Sequence, residues 1–477
     1  MSALWTISAM ADAMRSERQG ALSETVSGIS IDSRTLVEGE AYFAIKGDVH
    51  DGHNFVAAAL DKGAAVAVVA KGHRHKYAAD ARLLIVDDVL AALVDLAKAS
   101  RARLDGKVIA VTGSVGKTST KEALRAVLGA QGETHASAAS FNNHWGVPLS
   151  LARCPAATQF AIFEIGMNHA GEIEPLVKMV RPHVAIVTTV EPVHLEFFPN
   201  VEAIADAKAE IFFGLEPGGA AVLNIDNPQF ARLRQRAEKL GVSRIVSFGT
   251  NPKADARMID IALHPSCSAV HANILGHDVT YKIAVPGKHI AMNSLAVLAA
   301  ASLAGADLAL SALALAQMKP AAGRGVRETL SVAGGSATLI DESYNANPAS
   351  MAAALTVLGQ AKVGSRGRRI AVLGDMLELG TSSPALHRGL ADAVAANKID
   401  TVFCCGPLMQ HLWEALPSAQ KGGYADHSAA LESQVVAALG AGDAVMIKGS
   451  LGSRMKLIVT SLQTHFPGKA ALDDAVV

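Results

Sequence analysis

The run VIAVTGSVGKTSTKEALRAVL, Val108 to Leu128, places an apolar segment, a glycine-bearing turn and a helical pattern in succession. In that setting the backbone N–H groups opening the helix hold phosphate oxygens. A lysine adds a point charge, and the hydroxyl after it offers magnesium an oxygen ligand. Lys117 and Thr118 stand where those two groups are needed. The usual consensus, G-x-x-x-x-G-K-[ST], asks for glycine at 111, yet the chain has Val111 there and Gly113 further along. The run predicts a nucleotide phosphate site of a variant kind. The plainer alternative is an ordinary strand-to-helix turn.

A phosphate site with magnesium needs acidic groups at the carboxyl ends of neighbouring strands. Glu164 ends the apolar run FAIFEIG, and after VAIVTTV the segment EPVHLE brings Glu191, His194 and Glu196 toward the same mouth. Lys208 is out of place in another way. In the helical VEAIADAKAEIFFGL it falls on the apolar stripe of Ile204, Ile211, Phe212 and Leu215. Either its stem packs while the ammonium snorkels to water, or it is desolvated and reactive enough to take up carbon dioxide as a carbamate beside magnesium.

These side chains need scaffolds, and 477 residues exceed one core. Half the residues are hydrophobic (50%), 18% are charged and 4% aromatic, a balance suited to helices packed on buried parallel strands. The apolar runs AYFAI and AAVAVVA, followed by the helical LAALVDLAKASRARL, predict a small α/β first domain over residues 1–104. VIAVTG, FAIFEIG, VAIVTTV and AAVLNID predict a central P-loop-type parallel α/β domain over 105–319. SATLID, RIAVLGD, DTVFCCG and DAVMIKGS predict a Rossmann-like doubly wound C-terminal domain over 320–477.

With 43 basic against 44 acidic residues and a net charge of −1, the chain offers no basic field for nucleic acid. The adjacent Cys404 and Cys405 face opposite ways in a strand and cannot form an ordinary bridge, which with Cys154 and Cys267 fits a reducing, cytoplasmic setting. No export signal is visible at the start of the sequence. The most lipid-like stretch, from Ile290 to Met318, is broken by Asn293, Ser302, Gly305 and Asp307, so a buried helix pair is expected there rather than membrane insertion.

Taken together, GISIDSRTLVEGEAYFAIKGDVHDGH, VTGSVGKTSTKEAL, FNNHWGVPLSL, FEIGMNHAGEI, VHLEFF, AKAEIF, PGKHIAMNSLA, LIDESYNANPASM, AVLGDMLELG and IKGS resemble the Mur ligase family over nearly the whole chain. Within it they resemble the branch that adds D-alanyl-D-alanine to UDP-N-acetylmuramoyl-tripeptide. The family has its own phosphate loop, T-G-[ST]-x-G-K-[ST]. This chain matches it with Thr112, Gly113, Ser114, Val115, Gly116, Lys117 and Thr118, followed by Ser119, so Val111 simply ends the strand.

The resemblance implies ATP and Mg2+, the metal held by Thr118, Glu164, His194 and a carbamylated Lys208. It assigns the other end of the nucleotide to Asn293, Arg324, Asp341, Tyr344 and Asn345. Ser33 and Arg34 go to the uridine diphosphate, and Asn142 and Asn143 to substrate. Without it, Asp-Ser-Arg reads as a turn and the two asparagines as loop residues. Asp375 and Lys448 follow predicted strands, where a doubly wound sheet places ligands, and would contact substrate unless they are only solvated strand-end charges. Relatives often continue KGS with arginine and later Met-Glu, whereas Leu451 and Met455-Lys456 stand here, so contacts at those positions do not carry over.

An unactivated carboxylate lacks a leaving group that an amine could displace. The implied chemistry is attack of the tripeptide carboxylate on the γ-phosphoryl of ATP, with Lys117, Arg324 and magnesium neutralising the spreading charge. The amine of D-alanyl-D-alanine then attacks the acyl phosphate, His194 completing the catalytic set with Lys208. A monomer acting on small molecules is expected. The rival readings are the neighbouring ligase that adds the third peptide residue, a folylpolyglutamate-type synthetase, a phosphate-loop ATPase coupling hydrolysis to motion, and a silent nucleotide-sugar-binding protein.

Overall fold

The structure is a computed structural model that describes residues 3–138, 140–193 and 195–468. Three main sheets follow one another along the chain.

The first has the order Glu17–Gln19, Leu83–Val86, Val66–Ala70, Glu40–Phe43, Gly28–Ser30, parallel except for its first strand. Helix Val89–Ala102 leaves it, capped by Asp88, whose carboxylate accepts from Ala91 N at 2.7 Å. Leu93 and Leu96 of this helix belong to the first core and Ala97 to the next, so one amphipathic helix serves two domains. Arg103 completes the seam, its guanidinium 3.4 Å from the Trp5 ring and bonded to Leu4 O and Cys154 O.

The second sheet has nine strands. From Thr134–Ala136 through Phe160–Glu164, Lys107–Thr112, Val184–Val187 and Ala220–Asn224 to Arg244–Gly249 it is parallel. Lys107–Thr112 sends Ile109 and Val111 into a core with Leu124, Val127 and Leu295. Val108 and Ala110 enter a second core with Val147, Val177 and Ile204. A strand with helices on both faces must be apolar on both, which is why the segment reads as a continuous apolar run. The sheet extends beyond the four strands expected, through Ala256–Leu263, Ser268–Ile274 and His277–Ile283, the last two pairings antiparallel. Those strands are half-exposed and alternate in polarity, so they lack the buried-strand signature. The apolar stretch near residue 300 forms the two helices Lys288–Leu303 and Leu308–Leu315, the first burying Ala291 and Ser294 through Ala301. Among the described residues no helix is long and apolar enough to cross a membrane.

The third sheet has the order Val326–Val332, Gly335–Glu342, Ala444–Lys448, Arg369–Gly374, Thr401–Cys405, Lys421–Ala425. Its first two strands form an antiparallel hairpin and the rest are parallel. The strand last in sequence, Ala444–Lys448, lies between two earlier ones, and the carboxyl ends at that reversal hold Glu342 and Lys448 side by side. Cys404 and Cys405 enter opposite cores and all four cysteines are free.

Candidate active site

Thr112 ends its strand, and helix Lys117–Gly129 begins five residues later. The intervening turn needs glycine twice. Gly113 and Gly116 have φ of +149° and +86°. A Cβ on Gly113 would strike Thr188 Oγ1 and one on Gly116 would strike Asn293 Nδ2. Thr188 in turn braces the loop, its hydroxyl donating to Val115 O at 2.6 Å, while Ser114 Oγ bonds Glu191 O at 3.1 Å and accepts from Glu191 N at 2.9 Å. The loop conformation is therefore set before any ligand arrives.

Lys117 folds over it, its ammonium donating to Gly113 O at 2.7 Å. Burial lowers its pKa, Glu164 opposes that shift and Arg324 adds to it. Thr118 Oγ1 donates to Glu164 Oε2 at 2.8 Å, and Asn142 Nδ2 donates to Glu164 Oε1 at 2.7 Å. A hydroxyl and a carboxylate converging at a phosphate loop are the hard oxygen donors magnesium takes, so these residues fit that ion.

Lys208 lies on helix Val201–Ala209, buried to 2% exposure with Ile204 on the same helix also buried. Burial, and then the charge of Lys117, push its pKa well below the ordinary lysine value. It is close enough to Lys117 for the two charges to oppose each other, and it is not among the residues that line the cavity. Of the two sequence alternatives the structure favours desolvation, since the side chain does not snorkel to solvent. His194 lies outside the described residues.

The loop forms one wall of a cavity of about 590 Å³ between the second and third sheets. Ser114 through Ser119, Asn142, Glu164, Asn293, Arg324, Tyr344, Asn345 and Lys448 all line it. Arg324 spans the two domains, its guanidinium 4.2 Å from the Tyr344 ring centroid and donating to Ser140 Oγ at 3.3 Å. Lys448 pairs with Glu342 Oε2 at 3.2 Å and donates to Asn345 O at 3.0 Å.

Besides Thr112, Gly113 and Lys208, five further expected residues do not line the cavity. Asp341 is buried behind the wall, accepting from Ser343 Oγ at 2.6 Å and paired with Lys456 Nζ at 2.8 Å. On an extended strand neighbours face opposite ways, so Glu342 lines the cavity in its place. Asp375 is buried too and accepts from Met409 N at 2.8 Å; burial raises its pKa against that bond. Asn143 Oδ1 accepts from Gly146 N at 2.9 Å and shapes the turn before helix Gly146–Ala152. Ser33 and Arg34 lie in the first domain, the Arg34 side chain 86% exposed and paired with Asp32 at 2.7 Å.

Ser140, Thr188, His289, Glu342 and Glu378 line the cavity without having been expected there. His289 had a signal, since it stands four residues before Asn293 on the same helix. The rest depend on contacts distant in sequence.

A second cluster, Asp51, His53 and His73, has the donor types of a metal site. His53 cannot serve it as the chain stands: Nε2 accepts from Ala70 N at 3.0 Å, so Nδ1 carries the proton and donates to Asp51 at 2.6 Å. The histidine is a strut between strand and loop.

A phosphate loop set at the head of a parallel sheet, facing cations from a doubly wound domain, defines a nucleotide-dependent α/β protein with its reaction chamber between domains. The chain belongs to the Mur ligase family. Residues 25–101 match its catalytic domain, 111–301 its middle domain and 328–451 its glutamate ligase domain. The UDP-N-acetylmuramoyl-tripeptide–D-alanyl-D-alanine ligase of Bacillus subtilis (strain 168) is 33% identical over 441 residues, 92% of this chain and 93% of that one. Among solved structures, MurF from Acinetobacter baumannii superposes with a TM-score of 0.82 at 30% identity, covering 96% of this chain and 99% of that one. MurF ligase from Thermotoga maritima in complex with ADP gives 0.74 at 25% identity, covering 92% and 97%.

Proposed function

We propose that the protein joins D-alanyl-D-alanine to UDP-N-acetylmuramoyl-tripeptide with ATP, through an acyl phosphate, as a monomer in the cytoplasm. The observation that carries this reading is the cavity itself. A formed phosphate loop faces Arg324 and Lys448 across a chamber closed by two domains, and the relatives that share this architecture bear the ligase name. Residues 1–104 would hold the uridine diphosphate through Ser33 and Arg34, residues 105–319 the phosphates and residues 320–477 the rest of the nucleotide.

The tripeptide carboxylate attacks the γ-phosphorus of ATP, the bond to the β,γ-bridging oxygen breaks and ADP leaves, and the transferring oxygens carry charge that Lys117 and Arg324 neutralise. Lys117 must leave Gly113 O to do so, exchanging a neutral acceptor for an anionic one. Thr118 and Glu164, with His194 and a carbamylated Lys208, would hold magnesium, which supplies further charge neutralisation on the phosphates. Asn293, Arg324, Tyr344 and Asn345 hold the far end of the nucleotide, while Asn142 and Lys448 meet the substrate. The amine then attacks the acyl carbonyl, the C–N bond forms, and phosphate leaves.

Phosphate release measured with each substrate omitted in turn tests the reading. A ligase needs ATP, UDP-N-acetylmuramoyl-tripeptide and D-alanyl-D-alanine together. Steady release with ATP alone would show a phosphate-loop ATPase instead.

A further inference from the structure

We propose that His387 is a positioning residue for the ligation: from behind the chamber it fixes the turn over residues 376–380, through which the C-terminal domain meets the middle domain at Glu196. The inference rests on the ligase reading above. His387 is fully buried, at 0% exposure, and touches no part of the cavity. Both of its ring nitrogens are committed. Nε2 accepts from Met376 N at 3.0 Å, so the proton is on Nδ1, which donates to Ser383 O at 2.7 Å. Burial lowers its pKa, the Ser383 carbonyl opposes that shift and His411 adds to it, and the neutral ring keeps Nε2 as an acceptor.

The turn needs such an anchor. Glu378 has φ +64°, a left-handed conformation that a residue with a Cβ avoids, so the surroundings must impose it. They do so from two sides, His387 holding Met376 N and Ser450 Oγ holding Leu377 N at 3.0 Å. Ser450 also donates its N to Asp375 O at 3.0 Å and its hydroxyl to Ala346 O at 3.3 Å, which ties the neighbouring strand-end loops into one unit. On its far side the turn meets the middle domain. Glu196 N donates to Glu378 O at 3.4 Å, and a Cβ on Gly380 would stand 3.3 Å from Glu196 Cα. Glu196 follows His194 by two residues, and earlier in the same segment Glu191 N is held by Ser114 of the phosphate loop. Without the imidazole the buried Met376 N loses its acceptor and the turn must move to satisfy it. A shift of about 1 Å at a domain contact is enough to misplace reacting groups.

The test is steady-state amide formation by the full chain, with amide hydrogen exchange followed on the same samples, for wild type, His387→Leu, His387→Gln and Ser450→Ala. Leucine fills the site without an acceptor. Glutamine keeps one, its side-chain oxygen standing in for Nε2. In His387→Leu, kcat per folded chain falls about tenfold or more while KM for ATP stays within about twofold, and residues 376–380 and 195–197 exchange faster than in wild type. His387→Gln regains most of both. Ser450→Ala releases Leu377 N from the other side and shifts kcat and exchange in the same direction, so it reads the proposal even where His387→Leu does not fold. Wild-type kcat and exchange in His387→Leu or in Ser450→Ala, equal losses in His387→Leu and His387→Gln, or faster exchange spread over the whole C-terminal sheet, overturns the positioning role and leaves the ligase reading intact. A wild-type chain that forms no amide overturns the ligase reading and the positioning role with it.

Discussion

The two walls of the cavity use the same device, side chains at the carboxyl ends of parallel strands, yet they differ in how far they are arranged before a ligand comes. On the phosphate-loop wall the turn is dictated by backbone. Two left-handed glycines, the Thr188 brace and the Thr118–Glu164–Asn142 chain leave little to rearrange. On the C-terminal wall Lys448 is neutralised by Glu342, while Asp341 and Asp375 are turned away and bonded behind the wall. A motif that specifies a turn therefore places its side chains by itself. A charged residue at a strand end becomes a ligand or a strut according to a one-residue offset.

Substitutions on each wall should separate these roles. The largest effect is expected from Lys117→Ala, which removes the point charge at the loop and should lower kcat about a thousandfold without lowering the melting temperature. Lys208→Ala comes next. If the buried amine works as a carbamate, turnover falls about a hundredfold and added formate or acetate restores part of it, whereas a packing role predicts lost stability and no rescue.

Asp375→Asn tests the other wall. A strut should leave the KM values within about twofold. Burial holds the Asp375 pKa above its unfolded value of 3.8, so the carboxylate costs stability above both values, and that cost fades as pH falls from the folded value to the unfolded one and is gone below it. The Asn variant, which keeps an acceptor for Met409 N, should therefore melt at or above wild type at neutral pH, and the gap should close in acid.

Asp206→Asn is the mildest change. Arg232 and Arg236 bind Asp206 and lower its pKa to about 2, tying the helix that carries Lys208 to helix Phe230–Lys239. These groups are partly exposed, so the loss should stay under about 1 kcal/mol. In wild type that contribution is complete above the unfolded pKa of 3.8 and disappears as pH falls through the folded value of about 2.

The same contrast explains what the amino-acid sequence reveals. The three sheets are legible because buried parallel strands read as apolar runs, and the loop because Gly113, Gly116 and Lys117 stand at fixed spacing before a helix. Lys208 is legible because a lysine on an apolar stripe breaks the period of 3.6. The three antiparallel strands after Ala256 are missed because their exposed faces dilute the signal. Asp341 and Glu342 cannot be told apart from sequence, since a strand's pattern does not say which of two adjacent acids faces a cavity made partly by another domain. Lys456 illustrates the same limit. It departs from the family pattern, and only the fold shows that it pairs with Asp341.

The central claim is that an inert carboxylate is made acylating by taking phosphorus from ATP. UDP-N-acetylmuramoyl-tripeptide carrying oxygen-18 in its terminal carboxylate, turned over with ATP and D-alanyl-D-alanine, tests it directly. The account predicts labelled oxygen in the released phosphate, one atom per amide bond formed. Amide formation with unlabelled phosphate would contradict it.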